Sequence, residues 1–246
     1  MERSDRAIAS TTQDEHLATK NETANSRMGL KYWESVTSDI NGMLGGIPTV
    51  PGFGSVSRID LQGSRTFLAR LGVGIKNERK PVAKAVDVGA GIGRITEGLL
   101  LHVADSVDVV EPVAKFTDRL KTKKGVCDIF NVGLEDWKAT EGAQYDLIWI
   151  QWCLGYLSDD EIVDCLKRCK TTLRDDSSLV VIKENLSSGN EKMIDDVDGS
   201  VTRRDEDFRK LFTLAGLNLV KTDVQRGFPE IPPKRLLPVR MYALKA

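Results

Sequence analysis

The stretch Asp87-Val88-Gly89-Ala90-Gly91-Ile92-Gly93-Arg94 follows an apolar run, Val82–Val88, and opens a helical pattern, Ile95–Leu101. Strand, glycine loop and helix in that order make a site where a ligand approaches the backbone closely, because glycine permits the tight turn and adds no side chain. The next apolar run, Val107–Val110, ends in Glu111, 22 residues beyond Gly89. A carboxylate at that strand end can accept two ribose hydroxyls, and loop plus acid in one βαβ unit is more specific than either alone. The runs continue outward as helix Val113–Leu120, strand Val126–Asn131, strand Tyr145–Ile150, helix Ile162–Leu173, strand Leu179–Lys183, helix Phe208–Ala215, and strands Leu217–Val224 and Val239–Leu244. Gly216 is a suitable terminator for the last helix. Short apolar strands alternating with helices predict an α/β fold with a seven-stranded, mostly parallel, doubly wound sheet. Ligands then bind beyond the carboxyl ends of the strands, which directs attention to Gly89, Glu111, Gly133, Gln151 and Asn185.

Three details of the loop separate it from a dinucleotide site. Its spacing is GxGxG, Asp87 stands two residues before the first glycine, and Arg94 directly follows the last. A guanidinium at that place can pair with a ligand carboxylate, which NAD lacks and the methionine part of S-adenosylmethionine has; a solvated residue at the helix start is the competing reading of Arg94. Asn131-Val132-Gly133-Leu134-Glu135-Asp136-Trp137 follows a later strand, where Leu134 offers an apolar face to an adenine and Gly133 offers backbone hydrogen bonds.

Ahead of the alternating region, residues 1–27 are polar and expected to be flexible. Residues 28–80 read as a helical extension. It begins with an amphipathic helix carrying Leu30, Tyr32, Trp33, Val36, Ile40 and Leu44, followed by a Gly-rich turn. A Pro- and Gly-punctuated loop spans 47–57, and a helix over 58–72 has an apolar stripe of Ile59, Leu61, Phe67, Leu68 and Leu71. Residues 81–246 form the ligand-binding domain. The net charge of −1 gives no basic footprint for nucleic acid. The four cysteines form no CxxC pair and only two histidines accompany them, so no metal site is expected. Free thiols suit a reducing compartment, and no apolar run reaches the ~18 residues of a membrane span. A cytoplasmic protein, with nuclear entry possible at this size, is the expectation, with no membrane or nucleic-acid partner.

Several strings are similar to those of the protein α-N-terminal methyltransferases: Tyr32-Trp33, Gly42-Met43-Leu44-Gly45-Gly46, Asp87 through Arg94, Trp149-Ile150-Gln151-Trp152, Ile182-Lys183-Glu184-Asn185, and Asp195 through Arg204. The likeness runs from about Tyr32 to about Gly227, and the WIQW and DDVDGSVTRR strings are its most specific parts. It implies a class I, Rossmann-like methyltransferase that uses S-adenosylmethionine and releases S-adenosylhomocysteine. The implied substrate is the free α-amine of proteins, ribosomal ones included, that begin with Ala, Ser or Pro followed by Pro-Lys once Met is removed. Cofactor contacts are implied for Gly89, Gly91, Arg94, Glu111, Pro112, Gly133, Leu134 and Gln151, and substrate contacts for Trp33, Leu44, Trp152, Tyr156, Asp195 and Ser200. Asn185 and Asp198 match positions that hold and deprotonate the amine.

The chemistry of these residue types agrees. An α-amine titrates near ~7.7–8.0, so a positioned carboxylate is an adequate base. Asp195, Asp196 and Asp198 can receive the cation of a third-position lysine, and Trp152 or Trp33 can wall a proline; for Trp33, plain core packing is the competing reading. The sequence departs from the family at Tyr156, where members often carry His. Either Asp198 alone is the base, or Tyr156 only shapes the pocket. The Pro-rich stretch Phe228–Leu237 looks like an insertion, and no substrate residue is assigned in it. The alternative function is methylation of a small molecule or of another protein side chain on the same fold.

Overall fold

β-Branched and aromatic residues dominate the runs that become strands, and each run is short enough to be crossed in one pass of a sheet. In the computed structural model, which describes residues 26–232 and 235–246, these are β1 (Val82–Val88), β2 (Ala104–Val110), β3 (Val126–Phe130), β4 (Leu147–Gln151), β5 (Leu179–Asn185), β6 (Met193–Ile194), β7 (Val201–Thr202), β8 (Asn218–Val224) and β9 (Val239–Lys245). The helices are α1 (residues 26–35), α2 (Ile40–Met43), α3 (Val56–Ala69), α4 (Arg94–Gly98), α5 (Ala114–Thr117), α6 (Asp159–Thr171) and α7 (Asp205–Leu214). The flexible segment expected over 1–27 falls outside the described residues for 1–25, as do residues 233–234 of the Pro-rich stretch.

Among the described residues, seven strands form one sheet in the order β3-β2-β1-β4-β5-β9-β8, and a separate pair, β6-β7, forms a small hairpin. The pairs of β1, β2, β3, β4 and β5 are parallel, and β9 alone runs antiparallel to its neighbours β5 and β8. The α/β architecture is the one the alternating runs predict. Order reverses between β1 and β4, so the carboxyl ends of these two strands flank the crevice where ligands of such sheets bind.

Period-two alternation sends the strands' side chains to opposite faces. Val86, Val88, Ile148, Ile150, Val180 and Ile182 pack against Ile162 and Leu166 of α6 and Phe208 and Phe212 of α7. Ala85, Leu147, Trp149 and Val181 pack on the other face against Phe67 and Leu68 of α3, Ile95 and Leu99. Helix α6 starts at a capping box that the sequence reading overlooked: Ser158 and Glu161 satisfy each other's backbone N–H groups at 3.2 and 2.8 Å.

Helix α3 differs from expectation in its buried face. Ile59 and Leu61 of the expected stripe are only half-buried, and the inward positions are Val56, Asp60, Ser64, Phe67 and Leu68. Two polar residues replace apolar ones on that face because Lys183, fully buried in the middle of β5, needs acceptors.

Candidate active site

The loop after β1 is built to hold backbone against ligand. Gly89, Gly91 and Gly93 have φ of 75°, 55° and 79°, the left-handed region that glycine enters at no steric cost. Asp87, buried, accepts a 2.5 Å hydrogen bond from Thr96 Oγ1, which ties the end of β1 to α4. Burial pushes the Asp87 carboxyl up to about 6 against the pull of that bond. At the end of β2, Glu111 accepts from the Gly91 N–H at 2.8 Å and from the Val113 N–H at 2.9 Å. Its carboxyl is raised by burial, yet each oxygen keeps a lone pair for a further donor.

Gly89, Gly91 and Glu111 line a cavity of about 430 Å³ that also takes in Arg94, Pro112, Gly133, Leu134 and Gln151. The loop Gly133–Trp137 is pinned from α6: Arg168 donates to the carbonyls of Leu134 and Trp137 at 2.7 and 3.0 Å. From the N-terminal side, Trp33 and Met43 close the cavity. A side chain at Gly91 would stand 2.6 Å from Met43 Sδ and fill the cleft. Bare backbone, a carboxylate placed for hydroxyls, a cation and an aliphatic wall fit the ribose, methionine and adenine parts of S-adenosylmethionine. Gln151 lies at this cavity with its side chain occupied elsewhere: its amide donates to Asp60 and its oxygen accepts from Trp149 Nε1 at 3.0 Å.

A second cavity of about 510 Å³ adjoins the first, and the two share Trp33, Met43, Trp152 and Tyr156. Leu44, Asn185, Asp195, Asp198 and Ser200 all line it. Asp196 is exposed and stands outside the lining. The residues that the sequence reading grouped by ligand are therefore sorted into two connected chambers. Trp152, at φ 55°, lies between them, with Arg94 stacked 5.3 Å from its ring centre. Its indole N–H is buried without a partner among the described residues.

The β6-β7 hairpin carries the acids into place. Asp195 N–H bonds to Ser200 O at 2.8 Å, and Asp198 Oδ1 accepts from Ser200 N–H at 2.9 Å. Tyr156 donates its phenol to Asp198 Oδ2 at 2.7 Å. Arg203, fully buried, docks the hairpin onto the turn after Trp152 by donating to the Leu154 and Leu157 carbonyls at 3.1 and 2.7 Å. Glu184 holds the same turn from the sheet, accepting the N–H groups of Cys153 and Leu154 at 2.9 and 3.0 Å.

Sequence reasoning missed Asp60, Glu184 and Arg203, and it missed Phe228, Arg235, Leu236 and Leu237, which line the second cavity. A signal existed for Lys183, a charge inside an otherwise apolar strand run, and for Glu184 beside it. The Pro-rich stretch carried none, because its apolar residues have no period. Among the described residues, no group of three His, Cys, Asp or Glu could hold a metal ion, and no helix is long and apolar enough to cross a membrane.

The comparisons with known proteins follow the same lines. A protein described as "Alpha N-terminal protein methyltransferase 1" of Schizosaccharomyces pombe is 42% identical over 217 residues, covering 87% of this chain and 93% of the relative. "N-terminal Xaa-Pro-Lys N-methyltransferase 1" of Xenopus tropicalis is 40% identical over 205 residues, covering 81% and 88%. The solved structure of a SAM-dependent methyltransferase from Leishmania major superposes with a TM-score of 0.78 at 33% identity, covering 90% of this chain and 83% of that one. The family profile described as "AdoMet dependent proline di-methyltransferase" matches residues 21–245, nearly the whole chain. The chain belongs to that family of S-adenosylmethionine-dependent methyltransferases.

Proposed function

We propose that this chain methylates the free α-amine of proteins whose exposed N-terminus reads Ala, Ser or Pro followed by Pro-Lys, ribosomal proteins among them. One observation carries the reading: a cavity lined by Asn185, Asp198 and Asp195 opens onto the glycine-loop cavity across a shared aromatic wall. The names of the two relatives support the same substrate class.

S-adenosylmethionine, when bound, supplies an electrophilic methyl group. A protonated amine has no lone pair to offer, so the protein has to hold the α-amine neutral. Asp198 is the proton acceptor: its two oxygens are oriented by Ser200 N–H and the Tyr156 phenol and retain lone pairs for the amine. Asn185, at the end of β5, orients the amine without adding charge. Trp33, Trp152 and Leu44, the first and last from the 28–80 extension, wall the second-position proline. Asp195, exposed at the rim, receives the lysine ammonium. Fixing the amine against the donor is itself a large part of the rate enhancement.

The test compares peptides beginning Ala-Pro-Lys and Ser-Pro-Lys with the same peptides N-acetylated. Methyl transfer to the free peptides alone is expected. Equal transfer to both would place the acceptor on another side chain and overturn the reading.

A further inference from the structure

Asp60 lies on α3, ahead of the sheet, and its carboxylate is fully buried beside the glycine-loop cavity. Three side chains converge on it: Arg94 Nη1 at 2.7 Å, Lys183 Nζ at 2.5 Å, and Gln151 Nε2 at 3.1 Å from both oxygens. Lys183 is saturated, since it also donates to Asp60 O, Ser64 Oγ and Gln225 Oε1 at 3.0, 2.9 and 2.8 Å. Of the two cations in the cluster, Arg94 is the one that reaches the cavity, where Gln151 also lies. Its guanidinium is held at one nitrogen by Asp60 and at its face by Trp152.

Two cations share one carboxylate in this cluster. The neighbouring acids are hydrogen-bonded by neutral donors, Asp87 by Thr96 and Glu111 by backbone N–H groups, and the Arg94 charge also acts on Asp87 through space. Counted by themselves, Asp60, Arg94 and Lys183 carry one positive charge more than negative, and Arg94 is the cation of the three that borders the cavity. A buried surplus charge is costly until an anion partners it. Its protonation pattern supports this: burial opposes charge on Asp60, but the Lys183 and Arg94 cations outweigh it and hold the carboxyl below its usual range.

We propose that Asp60 is a positioning residue for the cofactor, aiming the Arg94 guanidinium at the carboxylate of S-adenosylmethionine and tying it to β4 through Gln151 and to β5 through Lys183. The proposal rests on the reading of Arg94 as the carboxylate's partner. It places a determinant of cofactor binding in the N-terminal extension, outside the glycine-loop and strand-end motifs.

The experiment measures calorimetric affinity for two probes: S-adenosylhomocysteine, which has the carboxylate, and 5′-methylthioadenosine, which lacks it. The variants are Asp60→Asn and the double variant Asp60→Asn/Lys183→Met, which removes one charge of each sign and keeps the cluster's net charge at its parent value. Both are expected to raise the Kd for S-adenosylhomocysteine about tenfold or more while changing that for methylthioadenosine less than about twofold. Equal weakening of both probes, or recovery of parent affinity in the double variant, would reduce Asp60 to a structural residue and overturn the proposal. Arg94→Ala is the control arm. If it spares S-adenosylhomocysteine, the underlying reading of Arg94 fails; if it is selective and the Asp60 variants are not, only the positioning role fails.

Discussion

The Tyr156 hydroxyl donates a 2.7 Å hydrogen bond to Oδ2 of Asp198, joining the turn after β4 to the β6-β7 hairpin across 42 residues of chain. Burial, and then this bond, push the phenol's ionisation well above its ordinary value, so the ring stays protonated and donating at any working pH. A group in that state cannot take a proton from an amine. Its effect is to fix one carboxylate oxygen while Ser200 N–H fixes the other.

Asp198→Asn is expected to lower turnover by roughly 10²–10⁴-fold, the range attributed to general base catalysis. Asp198 lines the second cavity and is absent from the lining of the first, so affinity for S-adenosylhomocysteine should stay at the parent value. Single-turnover methylation alongside calorimetry checks both halves, and a variant with parent turnover removes the base assignment.

Tyr156→Phe keeps the ring's edge-to-face contact with Trp33, centroids 6.3 Å apart, and removes only the hydroxyl. Loss of one hydrogen bond to a charged group, worth about 1.5–3 kcal/mol, predicts a fall in turnover of roughly tenfold or more. If Tyr156→Phe turned over like the parent, orientation of Asp198 by the phenol would carry no weight.

Glu184 is buried, and burial raises its carboxyl from 4.5 to about 7 despite the two N–H groups it accepts. Between those values the native protein holds a proton that the unfolded chain has released, so stability falls as pH rises through the window and is lowest above it. The total is roughly 3 kcal/mol at ~1.36 kcal/mol per pH unit. Glu184→Gln removes this titration and keeps an oxygen for Cys153 and Leu154 N–H. Urea unfolding should show the variant gaining on the parent between about pH 5 and about pH 8; a pH-independent difference contradicts the assignment.

Gly89→Ala combines a φ of 75° with a new Cβ only 2.6 Å from Cys153 Sγ, a buried neighbour that has little room to move. A non-glycine residue held there costs on the order of 1–3 kcal/mol. Lower urea midpoints and weaker S-adenosylhomocysteine binding are expected together. A variant matching the parent in both would show that the loop relaxes without loss.

The glycine loop, the strand-end acid and the alternation of apolar runs were readable from residues 82–111 because each is a local pattern: a period, a turn residue, a charge at a fixed offset. Asp60 was not readable. It sits one position from the apparent apolar stripe of α3, and nothing within a helical turn of it announces Lys183, 123 residues away. Arg203 was part of a recognised string, but its buried contacts with the Leu154–Leu157 turn depend on a hairpin that has almost no strand signal of its own, two residues a side. Phe228 and Leu237 belonged to a stretch set aside as an insertion, and both line the second cavity.

The sequence by itself determined the layered sheet and the place of the cofactor loop, because hydrophobic periodicity and backbone conformational preference act over a few residues at a time, and its WIQW and DDVDGSVTRR strings carried the likeness to the family. Only the tertiary structure decided which charges neutralise one another and which side chains share a chamber. A buried charge must find its counterpart wherever the folded chain brings one, and that distance in space leaves no trace in spacing along the chain.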